Sequence, residues 1–217
     1  MQKVDYEDLS QRVYKVLKEM ILTGDLHSGE RLAQDELARR LGVSRTPLLS
    51  AFTKLEREML VQTIPRRGTY VRTFSRRELL DVFEIRLRLE PLGARGAAEH
   101  ATAEQVEELA ALTERYKKTI AAGAADRARH EDLEFHTLIM RMSGNAFLST
   151  FVESSNIILI ANVQGLVKPA EESLAEHREL LEAIRVRDAE QAEALMYRHL
   201  ESSRSALEHG LAGAEGG

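Results

Sequence analysis

The chain has 217 residues, with 30 Lys and Arg against 35 Asp and Glu, and no cysteine. That length allows one large domain or two small ones with a real core, and the missing cysteines exclude disulfides, thiolate metal sites and a cysteine nucleophile. No apolar run approaches the roughly 18 residues of a membrane span, and the first stretch is charged throughout, so the expected location is the cytoplasm.

Aromatic residues are only 5% of the chain and tryptophan is absent. Ala, Leu, Glu and Arg abound, which predicts a mostly α protein. Charge is uneven: residues 1–74 hold 13 Lys/Arg against 10 Asp/Glu, a net of +3, whereas residues 75–217 carry a net of −8. A basic first third and an acidic remainder predict two domains, with any polyanion contact confined to the first.

Leu9, Val13, Val16, Leu17 and Met20 recur at helical spacing, and Gly24 follows as a C-terminal cap. A second helix is expected from about Ala33 to Leu41, ended by Gly42. Ser44 caps a third that runs through Leu60, with Leu48, Phe52, Leu55 and Leu60 inward and Pro47 in its first turn. "VQTI" and "TYVR" then read as two short strands around "PRRG", a turn carrying Arg66, Arg67 and Gly68. Three helices and a basic-tipped hairpin make a winged helix-turn-helix over 1–74.

Such a module suits double-stranded DNA. The third helix fits the major groove, with Arg45 near phosphates and base edges, and the wing can lay Arg66 and Arg67 along the backbone. Leu49 lies beside the buried stripe of its helix, so it is expected to face the groove and touch a thymine methyl. A solvated hairpin on a generic packing unit, or a winged helix that binds only protein, explains the same pattern.

"ILTGDLHSGERLAQDELARRLGVSRTPLLSAFTKLEREMLVQTIPRRGTYV" resembles the N-terminal domain of GntR-family bacterial transcription regulators, over about residues 9–72. The resemblance implies operator contacts from Arg45, from the hydroxyls of Ser44 and Thr46, and from Arg67-Gly68. The chain departs at Leu49-Ser50, where the family usually shows Arg-Glu and the arginine commonly reads a guanine.

From Ser75 onward the pattern is helical. Ser75 caps the first helix, and Thr102 with Gln105 forms a capping box for the second. A third covers about Asp126 to Met142, Asn145 caps a fourth through about Val163, and two more follow. An antiparallel six-helix bundle is therefore expected over 75–209, with a disordered tail over 210–217.

Within it, Asp132 and His136 share a helix face in "EDLEFH". His177 continues the stripe Leu174, Leu181, Ile184, and His199 the stripe Ala192, Leu195, Met196. Three imidazoles and a carboxylate thus project from three helices toward one interior, a donor set that suits a divalent metal ion such as zinc or nickel. Taken singly, each histidine also reads as a hydrogen-bonded core side chain. His27, His100, His130 and His209 fall at helix ends, loops or outer faces and read as surface residues.

"FEIRLRLEPLGARGAA", "DLEFHTLIMRMSGNAFL" and "EHRELLEAIRVRDAEQAEALMYRHLESS" resemble the ligand-binding FCD domain of the FadR subgroup of the same family, over about residues 76–208. The helix count is similar to the shorter, VanR-like version. The resemblance implies a metal held by Asp132, His136, His177 and His199, and a small carboxylate effector held by Arg86. An interhelical salt bridge is the alternative for Arg86. A metal-dependent enzyme, or a protein-interaction module with a structural metal, is the rival function. No His-Asp dipeptide, His-Glu-x-x-His spacing or Gly-rich phosphate loop supports an enzyme. The expectation is a regulator and not an enzyme: a homodimer, with repression the expected sense, that binds a near-palindromic operator and senses the acid.

Overall fold

Val13, Tyr14, Leu17, Met20 and Ile21 form the buried face of α1 (Tyr6–Thr23) in this computed structural model, which describes residues 6–162 and 166–210. The expected stripe is thus rotated, because Leu9 and Val16 lie on the exposed side. The chain divides into two compact units, Met1–Thr73 and Phe74–Gly217.

In the first unit, α2 (Gln34–Leu41) closes on Gly42, whose φ of 65° gives the left-handed cap that glycine tolerates. α3 (Arg45–Arg57) buries Leu48, Phe52 and Leu55 against α1. It ends before Leu60, earlier than expected, since Met59 turns the chain with a φ of 60°. Tyr14 donates to Glu58 at 2.7 Å and ties α1 to the end of α3. β1 (Val61–Ile64) and β2 (Gly68–Val71) pair antiparallel from Val61 opposite Val71 to Ile64 opposite Gly68. Residues 29–32 lie along the free edge of β2, with Leu32 N–H donating to Thr69 O at 2.8 Å. The result is the expected winged helix-turn-helix.

In the second unit, α4 (Arg76–His100) and α5 (Ala103–Ala121) begin in capping boxes at Ser75/Glu78 and Thr102/Gln105. α6 (Ala125–Met142) packs on both. It approaches α4 closely because Gly93 and Gly96 lack side chains; a Cβ there would run into Met140 or the Ser143 carbonyl. Next come α7 (Ala146–Ser155), α8 (Ile157–Asn162), α9 (Ala170–Arg185) and α10 (Ala189–Gly210). α10 lies along α4 and α9.

The expected six helices are therefore seven segments among the described residues. Asn156 has a φ of 54°, a left-handed conformation that breaks the predicted fourth helix into α7 and the wholly buried α8. The expected tail lies, from 211 on, outside the described residues, and Gly210 closes α10.

Candidate functional site

Two groups of residues stand apart from simple packing, one in each unit. In the first unit, Ser44 holds the N-cap position of α3 in extended backbone, but its hydroxyl makes no cap hydrogen bond. Arg45, Thr46 and Leu49 are exposed on the same helix, Leu49 by 44%. Arg45 meets the Asp35 carboxylate of α2 at 2.5 Å, a partner that sequence reasoning missed. Arg66 and Arg67 are exposed at the hairpin tip, Arg66 with a φ of 65°. At Gly68 the absent side chain leaves room for Arg31, whose Nε lies 3.2 Å from where a Cβ would stand. Arg31 reaches the wing through its bridge to Tyr70. The face thus offers guanidinium groups, hydroxyls and one apolar side chain, the chemistry of phosphate and base-edge contact.

The second group is buried inside the bundle. α6 contributes His136, α9 His177 and α10 His199; one ring nitrogen of each lies within 4.8 Å of the others. His136 Nε2 and His199 Nε2 are 3.1 Å apart. Their outer nitrogens face carboxylates: His136 Nδ1 is 2.6 Å from Glu90 Oε2, and His199 Nδ1 is 2.7 Å from Glu176 Oε2. His177 stacks on Phe135, ring centroids 3.8 Å apart. Its Nδ1 is buried and has no hydrogen-bond partner among the described residues.

Asp132 lines a small cavity together with His136 and His199 but is held differently. Asn162 Nδ2 donates to one of its oxygens at 3.0 Å and Ser173 Oγ to the other at 3.1 Å. His177 Nε2 stands 3.6 Å from its Oδ1, and Asp132 falls outside the triad of mutually close donors.

Arg86 is buried beside this group, and its ion-pair partner is Glu90, four residues on in α4 itself and not on another helix. Its Nη2 reaches the second Glu90 oxygen at 3.4 Å. Burial alone would raise the Glu90 carboxyl, but Arg86 and His136 outweigh it and hold the group at about 2. Lys168, also buried, pairs with Glu176 and donates to the His199 carbonyl at 3.2 Å.

Burial is the main reason that His177 and His199 sit well below the ordinary imidazole range; His199 next to His177, and His136 next to His199, push in the same direction. Both are therefore neutral near pH 7, the form that ligates metal. Three imidazoles converging in a buried interior, two of them held neutral and one with an orphaned ring nitrogen, fit a divalent cation. The cavity lined by Arg86, Asp132, His136, Lys168 and His199 is about 20 Å³, room for roughly one water-sized particle.

Sequence periodicity finds the three histidines, whereas Glu90, Glu176, Lys168, Asn162 and Ser173 carry no spacing signal of their own. The one available hint is Glu90, at i+4 from Arg86. Of the remaining histidines, His27, His100 and His209 are exposed and His130 is half-buried.

Comparison with known proteins adds to this geometry. Residues 81–202 match the FCD domain, and residues 9–71 match bacterial regulatory proteins of the gntR family. The HTH-type transcriptional regulator YdhC of Bacillus subtilis is 29% identical over 203 residues, covering 91% of this chain and 90% of that protein. The HTH-type transcriptional repressor RspR of Escherichia coli is 28% identical over 202 residues, 90% and 87% of the two chains. The solved structure of E. coli McbR/YncC shares the fold with a TM-score of 0.81 at 24% identity, covering 93% of this chain and 98% of its own.

Proposed function

Because the chain belongs to the GntR family of bacterial regulatory proteins and carries an FCD domain, we propose that it is a transcriptional repressor whose grip on operator DNA is set by a small carboxylate bound beside a divalent ion. The family and its relatives are DNA-binding regulators, not enzymes. RspR carries repression in its name, and repression is the sense proposed for this chain.

The observation that carries the sensing half is the convergence of three buried imidazoles within 4.8 Å, next to a buried arginine. His136, His177 and His199 would hold the ion, zinc or nickel, and Asp132, whose Oδ1 lies 3.6 Å from His177 Nε2, would be the fourth donor. Once bound, the ion would supply a Lewis-acid position for a carboxylate oxygen. Charge supports an anionic ligand: Arg86 and Lys168 against Asp132, Glu90 and Glu176 leave one negative charge, which a divalent ion turns into one positive. The cavity in this form takes only an ion or a water. An organic acid therefore enters only as side chains on the walls move, and that movement is the physical source of a conformational response.

On the DNA side, Arg45 is the main anchor, Ser44 and Thr46 offer hydroxyls, and Arg66, Arg67 and Gly68 of the wing support them. Leu49 supplies the apolar contact to a thymine methyl. A second copy of the chain would bring two such heads to a near-palindrome. Phe147 and Phe151 on α7, 90% and 55% exposed, and Ile85 and Leu92 on α4 are the apolar surface that supports a homodimer.

The test is fluorescence anisotropy on the protein's own upstream DNA, titrated with a panel of organic acids, with and without chelator. At least one acid is expected to weaken the complex in wild type, and to lose that effect after chelation or in Arg86→Ala. A specific complex indifferent to every acid, or a response that survives both treatments, contradicts the sensing half. No specific complex at all contradicts the DNA half.

A further inference from the structure

Two of the three imidazoles are backed by a carboxylate and the third is not. Glu90 of α4 lies 2.6 Å from His136 Nδ1, and Glu176 of α9 lies 2.7 Å from His199 Nδ1. His177 stacks on Phe135, its Nε2 lies near Ser173 Oγ and Asp132 Oδ1 at 3.4 and 3.6 Å, and its Nδ1 has no hydrogen-bond partner among the described residues.

An ionised carboxylate only accepts hydrogen bonds, so each of these contacts puts the ring hydrogen on Nδ1. Among the described residues Lys168 is the competing group, with its Nζ 3.4 Å from His199 Nδ1. An ammonium has three hydrogens, and three oxygens stand nearer or as near: Glu176, the His199 carbonyl at 3.2 Å and Ser202 Oγ at 3.3 Å. His199 Nδ1 is therefore left to donate to Glu176. In neutral rings both Nε2 atoms then carry lone pairs, and these face each other at 3.1 Å. Two facing lone pairs repel unless a cation, a proton or a metal ion, lies in reach of both.

We propose that Glu90 and Glu176 are positioning residues of the metal centre, each fixing the tautomer of one histidine so that its Nε2 lone pair is turned on the ion. The inference rests on the metal reading above. It also gives Arg86 a second role: through Glu90 the guanidinium is one hydrogen bond from a ligand imidazole. Glu90 is buried and Glu176 half-buried, with side-chain exposures of 1% and 21%, so substitution at Glu176 disturbs packing less.

The test compares wild type, Glu176→Ala, Glu176→Gln and Glu90→Gln, each confirmed folded by circular dichroism. Zn²⁺ affinity is measured by competition with a chromophoric chelator, and the imidazole tautomers of the metal-free proteins by long-range ¹H–¹⁵N NMR. Loss of such a partner weakens binding by about 10–100-fold. Glu176→Ala is expected to show that loss, with Glu176→Gln, whose amide oxygen still accepts from Nδ1, between it and wild type. Glu90→Gln is expected to weaken binding less than Glu176→Ala, for the same reason. In metal-free wild type both His136 and His199 are expected to carry a hydrogen on Nδ1, whether or not a proton is shared between their facing Nε2 atoms, and in Glu176→Ala the His199 hydrogen moves to Nε2. Wild-type affinity in Glu176→Ala, or Nε2–H tautomers at both rings in wild type, overturns this inference and leaves the metal reading standing. A wild-type protein that takes up no Zn²⁺ overturns the metal reading and this inference with it.

Discussion

Replacing Arg86 by alanine isolates a buried charge. Arg86 and Glu90 are 3% and 1% exposed in their side chains, and among the described residues Glu90 is partnered by Arg86 and His136. Removing the guanidinium strands the carboxylate in the bundle, which costs about 3–5 kcal/mol when a buried pair is broken. The carboxyl itself gives a similar figure: its shift from 4.5 to about 2 corresponds to about 3 kcal/mol of interaction favouring the charged form. For a unit of this size that is a fall of about 10 °C in Tm, from a total stability of about 5–15 kcal/mol. Calorimetry on Arg86→Ala reads it directly. The companion is Arg86→Met with Glu90→Gln, which removes both charges and keeps the volume, and should recover most of the loss. If Arg86→Ala costs less than about 1 kcal/mol, or the double variant is no more stable than the single, the buried pair is not coupled as described.

Other consequences follow from the same geometry. Arg45→Ala should weaken operator binding by about 1–3 kcal/mol in anisotropy. In site selection from random DNA, Leu49→Arg should move one preferred pair from A·T to G·C. Phe147→Glu with Phe151→Glu should shift sedimentation toward the monomer without lowering helicity, since both rings are exposed. Glu90 has a lowered carboxyl, so its stabilisation is complete above about pH 4.5 and is lost as pH falls toward 2. Urea midpoints over that range should therefore drop more steeply in wild type than in Glu90→Gln.

Much of the fold was legible because its signals are local. The Ser75 cap, the capping box at Thr102, the Gly42 cap and the strand pair around "PRRG" each follow from residue types at fixed offsets. The break at Asn156 was not, since "SSNIILIAN" reads as one apolar helix; asparagine's tolerance of left-handed backbone was the only clue. For the site, helical periodicity aims His136, His177 and His199 inward, and the structure brings them together. It says nothing of what stands opposite each ring. Glu90 and Glu176 meet the imidazoles across helix pairs, α4 to α6 and α9 to α10, and such contacts depend on how helices cross, not on spacing within one. The same limit explains why Asp35 beside Arg45 and Arg31 beside Gly68 went unread.

Sensing in the second unit depends on the ion. Elemental analysis of wild type and of His177→Ala with His199→Ala, both purified without chelator and both verified as folded, tests it in one measurement. Wild type should carry close to one equivalent of a divalent metal per chain, and the double variant should carry none, because two remaining donors hold such an ion weakly. Equal metal content in the two proteins would contradict the assignment of the centre to these residues.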